Sequence, residues 1–205
     1  MALPSNVAVH PDDVKLVDLD QLPYLYATRP SGARLKAWAQ LEEVERRWVM
    51  FDWATFSVNS SRGNVALFND LASAYLYSFE STLQVLFKER GFPDFNGWLL
   101  SHVEYDLCAR GLRTLRHLSA HVQKTAFSLQ RGAEAHSRFA GSSRGGTYPW
   151  RWSDLTAADL ASLENARISA AELPEFNALS ESLLALGMMR QGVSALRGIL
   201  VAAET

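Results

Sequence analysis

Residues 68–86 read FNDLASAYLYSFESTLQVL, and within them Phe68, Ala72, Tyr75, Phe79, Leu83 and Leu86 recur at intervals of three and four. A helix turns once in about 3.6 residues, so this spacing gathers apolar side chains on one helical face. The stretch predicts an amphipathic helix that Gly91 and Pro93 bring to an end. Upstream, Leu41, Val44, Trp48, Phe51, Thr55 and Val58 repeat the pattern in a helix expected from about Arg34, and residues 60–64 (SSRGN) make the turn between the two. Downstream, Asp94 is the expected N-cap of a third helix reaching from about Phe95 to about Gln130, with Gly111 as a candidate bend. Its apolar stripe is Leu107, Cys108, Leu112, Leu115, Leu118, Val122 and Leu129.

Two further helices are expected. Leu155, Leu160 and Leu163 mark a short one. The last opens with Ser169 and Glu172 at capping-box spacing and continues through Phe176, Leu179, Leu183, Leu186, Met189, Val193, Leu196 and Leu200. No alternating strand pattern, internal repeat, G-x-G-x-x-G or Walker loop stands in the chain, so no cofactor-binding motif is read. The expected architecture is all-α, a bundle of four or five helices over residues 34–205. Residues 1–33, with four prolines and the acidic run Asp12, Asp13, Asp18 and Asp20, read as an extended N-terminal arm packed on that body.

The chain has 205 residues, 48% of them hydrophobic and six of them Trp, enough to bury a core and too apolar for a disordered chain. The single cysteine, Cys108, excludes an internal disulfide framework and a thiolate zinc cluster and suits a reducing compartment. No secretory leader pattern opens the sequence, and no apolar run nears the ~20 residues a bilayer requires. A cytoplasmic protein without membrane contact is expected.

The net charge of −2 conceals a division. Residues 101–151 carry eight basic side chains against three acidic ones, a net +5, while the rest of the chain carries −7. Four of the five histidines, His102, His117, His121 and His136, fall in the same quarter of the sequence. At ~100° per residue, His102, Asp106, Arg110, Arg113, His117, His121 and Lys124 share one face of the third helix, opposite its apolar stripe, and Arg116 flanks them. This arrangement predicts a continuous basic face that points away from the core and suits an anion.

Within that face stands Arg116-His117-x-x-x-His121. Chance would supply a bare Arg-x4-His about 0.4 times in a chain of this composition, and about 0.04 times once Asn, Asp or His must follow the Arg. The motif, its place on a long helix after two others, and the bundle resemble the HEPN superfamily, all-α proteins that are often metal-independent ribonucleases. The resemblance implies catalysis by Arg116, His121 and His117. It also implies a homodimer whose motif helices face each other across a two-fold axis, with Arg110, Arg113 and Lys124 lining the shared cleft as contacts for RNA phosphates. The setting it implies is phage defence or a toxin–antitoxin pair, with an antitoxin or other regulatory protein as partner.

The residue types suit that chemistry. An imidazole titrates near ~6.5 and so exchanges protons near neutrality, which qualifies His121 to take the proton of a ribose 2′-OH. Arg116 keeps its charge, and its planar donors can span two oxygens of a phosphorane. His117 would orient the phosphate or share the proton transfer. The products would be a 2′,3′-cyclic phosphate and a 5′-hydroxyl.

Two other readings use the same residues. His117 and His121, four apart, would share a helical metal site with Asp106, Glu104, His102 or His136, although two flanking arginines oppose a cation. Alternatively, the bundle binds RNA, a nucleotide or a protein without catalysis. The basic loop 131–151 offers Tyr148, Trp150 and Trp152 either as a platform for stacking bases or as side chains folded back onto the core.

Overall fold

The structure is a computed structural model, and it describes residues 30–57, 65–121, 129–131 and 150–205. The N-terminal arm as far as residue 29, the turn at 60–64, Val122, Lys124 and the loop at 132–149 lie outside the described residues. The fold is the expected all-α bundle. Helices α1 (Ala37–Ser57), α2 (Val65–Arg90), α4 (Leu107–His121) and α6 (Leu173–Glu204) form its body, and α3 (Phe95–Leu100) and α5 (Ala157–Ala161) are short connectors. Strands β1 (Leu129–Arg131) and β2 (Trp150–Trp152) pair antiparallel, with Gln130 opposite Arg151.

The apolar stripes read from the sequence form the core. Phe68, Ala72, Tyr75, Phe79, Leu83 and Leu86 of α2 are all fully buried, as are Cys108 and Leu112 of α4 and Phe176 and Met189 of α6. On α6, however, Leu179, Leu183 and Leu186 are only partly buried, while Met188 and Ile199, off the expected stripe, are fully buried. Burying that apolar surface is the main stabilising contribution, about 25 cal/mol per Å2 removed from water. The start of α1 is fastened by acids from the ends of two other helices. Glu89 accepts from the Lys36 and Ala37 amides at 2.7 and 3.0 Å, and Glu204 accepts from the Arg34 and Leu35 amides and the Trp38 indole N–H. These carboxylates satisfy donors that a helix start leaves unpaired and complement its positive dipole end.

The third helix departs from the expectation of one long element. It is two helices, α3 and α4, separated by a turn over residues 101–106, and by Leu129 and Gln130 the backbone is a strand. Ser101 closes α3, and Asp106 starts α4 by accepting from the Ala109 amide at 2.9 Å. The break turns Tyr105 inward, where it is buried. Gly111 does not mark a bend: a Cβ there would stand 1.9 Å from the Phe176 ring, so its lack of a side chain is what lets α6 pack against α4. Gly192 plays the matching role on α6, where a Cβ would meet the Tyr75 hydroxyl at 2.5 Å and Leu112 at 2.6 Å.

The end of the chain also differs from expectation. The Ser169–Glu172 pair forms, with the Ser169 amide and hydroxyl donating to the Glu172 carboxylate at 2.8 Å each, but α6 begins only at Leu173. The expected short helix is α5, opened by a capping box between Thr156 and Asp159. Within α6, Leu184 has φ 58° and ψ 175°, which kinks the helix and divides it into two segments. Such a conformation costs a non-glycine residue about 1–3 kcal/mol. Among the described residues, no helix is long and apolar enough to cross a membrane.

Candidate functional site

Helix α4 carries the residues singled out from the sequence, and its successive turns treat them differently. In the first turn, the second oxygen of Asp106 accepts from the Gln191 side-chain amide at 2.6 Å, so this acid ties α4 to α6. Arg110 follows, and its Nη1 donates to Glu172 at 2.7 Å and to the Arg167 carbonyl at 3.4 Å. Ser169 and Arg110 together stabilise the charged Glu172 and hold its carboxyl below the usual carboxylate range.

Arg113 corrects the expectation of a uniformly outward basic face. Only 4% exposed, it lies against α2, where its Nε and Nη2 donate to the two Glu80 oxygens at 2.7 and 2.9 Å. Its Nη1 donates to the Tyr105 hydroxyl at 2.9 Å and to the Asn96 side-chain carbonyl at 3.4 Å. Burial alone would lower the basicity of Arg113, but hydrogen bonds and charge from Glu80, with help from Tyr105, carry it above the ordinary arginine value. A helical wheel of α4 cannot see this, because Glu80 lies 33 residues upstream. A hint was present in the sequence: Glu80 directly follows Phe79 and precedes Leu83, both on the apolar stripe of α2. An acid so placed calls for a cationic partner.

The Arg-His motif occupies the last turns. Arg116 lies half-buried with its guanidinium carbon 5.3 Å from the centre of the Tyr77 ring, itself 63% exposed on α2. Its Nε is buried without a hydrogen-bond partner among the described residues. His117 is half-buried beside it, and the backbone of His121 is the last residue of α4. The His121 side chain, like Lys124, lies outside the described residues. Positions 116 and 121 are five apart and diverge by ~140° on a helix, so one copy of the motif makes only a shallow site.

The proposed metal companions stand elsewhere. His102 is fixed in the turn after α3, its Nδ1 2.8 Å from the Trp98 carbonyl and its ring 4.2 Å from the Trp98 ring. Asp106 precedes His117 by eleven residues, ~16 Å along the axis. Among the described residues, no group of three His, Cys, Asp or Glu side chains could hold a metal ion; His136 lies outside them. Cys108 is core, as its place on the stripe predicts, and burial pushes its thiol up, away from the reactive thiolate.

The aromatics at the end of the basic loop turn inward. Trp150 and Trp152 are buried, and Trp150 stacks on Phe68 with ring centres 4.6 Å apart. Of the two readings of these tryptophans, the structure shows side chains folded back onto the core rather than a base-stacking platform, while Tyr148 lies outside the described residues.

A feature missed by the sequence reading lies on the other side of Arg113. An open cleft of about 300 Å3 lies among α2, the start of α3, α4 and the segment before α6, and its lining includes Arg113, Arg167, Phe87 and Phe95. Arg167 lies beyond the basic quarter of the chain, and no periodicity or motif marks it. Compared with known protein families, with curated proteins and with solved structures, the chain gives no match.

Proposed function

We propose that this protein is a metal-independent endoribonuclease of the HEPN kind, in which Arg116 and His121 act on RNA at a cleft shared by two copies of the chain. The observation that supports it is the contrast along α4. Arg110 and Arg113 are committed to carboxylates, whereas the Arg116 side chain meets an aromatic ring and no carboxylate among the described residues. A guanidinium held in place but not neutralised keeps its charge available for a phosphate.

In this reading His121 removes the 2′-OH proton and Arg116 stabilises the charge that builds on the phosphorane. His117 orients the phosphate or returns a proton to the 5′-oxygen that leaves. Two copies are needed because the motif residues diverge on one helix, and a two-fold axis supplies the facing half. The nuclease acts in the cytoplasm, under a neutralising antitoxin or another regulatory protein, in phage defence or a toxin–antitoxin pair. Because Arg110 and Arg113 are tied into ion pairs, Lys124 is the remaining phosphate contact read from the sequence.

The test is incubation of RNA with the purified protein in EDTA, for the wild type, Arg116→Ala and His121→Ala. The wild type is expected to yield 2′,3′-cyclic phosphate ends, and each variant to lose on the order of 100-fold in rate. A wild type that leaves RNA intact, or variants that cleave as fast as it does, overturns the assignment. Light scattering of the wild type checks the dimer.

A further inference from the structure

The cleft beside Arg113 combines a cation with no carboxylate at ion-pair distance among the described residues, two aromatic rings and side-chain amides. Arg167 is held in position through its backbone: its amide donates to the Thr114 hydroxyl at 3.0 Å, and its carbonyl accepts from Arg110. Its side chain has no carboxylate within ion-pair distance among the described residues, and its Nε is buried and unbonded there. The two acids nearby are already engaged. Both Glu80 oxygens accept from Arg113, and Asp94 accepts from the Gly97 amide at 2.9 Å as the cap of α3.

Burial and the like charge of Arg113 hold the Arg167 guanidinium below its ordinary value, with Tyr105 and Glu80 opposing them more weakly. A bound anion would remove that penalty. Phe87 and Phe95 also line the cleft; Phe87 is 43% exposed, and the two rings lie 5.3 Å apart between centres, tilted by 43°, so that an apolar ring face of Phe87 reaches solvent. Asn96 turns its carbonyl oxygen to Arg113, which leaves its Nδ2 donors uncommitted among the described residues, and Gln84 adds a second amide. The volume is at the lower end of small-molecule sites, room for one planar ring and one anionic group.

We propose that this cleft binds a single nucleotide, with its phosphate on Arg167 and its base against Phe87 and Phe95. The site is separate from the Arg116–His121 motif and does not depend on the ribonuclease reading. The same chemistry is offered by a free nucleoside monophosphate and by the 5′-phosphorylated end of an RNA strand.

Calorimetry on the full chain tests it, with adenosine monophosphate, adenosine, inorganic phosphate, and a hexanucleotide with or without a 5′-phosphate. Adenosine monophosphate is expected to bind in the micromolar to millimolar range, and adenosine and inorganic phosphate each at least tenfold more weakly. If the hexanucleotide binds more tightly than the monophosphate, and only when 5′-phosphorylated, the RNA end is the ligand; the reverse order assigns the free nucleotide. Arg167→Ala should weaken binding at least tenfold and Phe87→Ala about tenfold, while Arg167→Lys keeps part of the affinity. Arg167→Ala is expected to fold, because among the described residues only the backbone of Arg167 is bonded; the melting temperature checks this, and the nucleotide should raise it less than in the wild type. Absence of binding at millimolar ligand, equal affinity for monophosphate and inorganic phosphate, or unchanged affinity in folded Arg167→Ala overturns the proposal. So does loss of nucleotide affinity in Arg116→Ala or His121→Ala, which would place the ligand at the motif; unchanged affinity there supports the cleft whether or not RNA is cleaved.

Discussion

Glu80 on α2 and Glu45 on α1 are both buried acids facing an arginine on another helix, yet Glu80 is clasped by Arg113 through two hydrogen bonds of 2.7 and 2.9 Å, whereas Glu45 meets Arg197 only at 3.9 Å. Their partners differ as well. The Arg113 side chain is 5% exposed and is further bonded to Tyr105, while that of Arg197 is 39% exposed and keeps much of its hydration. A buried carboxylate loses its water in both places, but only a desolvated, two-pronged partner replaces it. At Glu45, burial dominates: it pushes the carboxyl up to about 7, against the lowering charge of Arg197 and with a small push from Glu42. The two sites thus set an acid clasped by its partner against one that changes its charge near neutrality.

The largest effect is expected where the pair is tightest. Arg113→Ala leaves the Glu80 charge buried without its partner, which typically costs about 3–5 kcal/mol. Chemical denaturation of this variant should show a loss of that size, or no folded protein. Replacing both members by apolar residues of similar volume, Arg113→Met with Glu80→Leu, should recover most of it, because neither charge then needs solvation. A loss below about 1 kcal/mol for Arg113→Ala would erase the distinction, since that is the range of a solvated surface pair.

The same contrast explains which parts of the molecule could be read from the sequence. The stripes of α1, α2 and α4 follow from spacing within one helix; that of α2 is buried throughout, and among the described side chains of the other two only Trp48 and Leu107 are no more than partly buried. Asp94 as a cap was legible too, since capping is local. Asp106 carries the same signal just before Leu107, but with no Gly or Pro in the turn at residues 101–106 the third helix reads as continuous. The inward turn of Arg113 was not legible, because a charge is buried by a partner 33 residues away and a wheel sums only what lies on one helix. Gly111 shows the same limit: its absent side chain matters to Phe176 of α6, not to its own helix. For the site, the Arg-His motif was visible in full, while Arg167 and its cleft arise only from the way α2, α3 and the segment before α6 come together.

Glu45 supplies the intermediate effect, with a sign fixed by its shift. Its folded carboxyl keeps a proton up to about pH 7, against 4.5 for an ordinary one, so folding takes up protons between these values. Stability from this group is therefore present at low pH, falls as pH rises through the window, and is level above it. Glu45→Gln removes the ionisation while keeping the shape. It should stabilise the protein at pH 8 by about 1–3 kcal/mol relative to the wild type, and by little at pH 4. Urea midpoints across pH 4–8 measure this directly; curves that stay parallel for wild type and variant would show that Glu45 is solvated like an ordinary surface acid.

Arg197 provides the smallest and most discriminating change. Its charge opposes the burial of Glu45, so Arg197→Ala should move the Glu45 titration to still higher pH, followed by the chemical shift of its carboxyl carbon. Through a 3.9 Å contact with a solvated guanidinium, the accompanying loss of stability should be about 0.5 kcal/mol, within the range of exposed pairs. It should appear only above the Glu45 midpoint, where there is a carboxylate to lose its partner. In a Glu45→Gln background the same substitution should then cost less, and the difference is the coupling between the two side chains. An Arg197→Ala effect that is equal in both backgrounds would mean that Arg197 acts through the packing of its methylene stem. Burial alone would then set the behaviour of Glu45, and the contrast with Glu80 would lie between an acid with a partner and an acid with none.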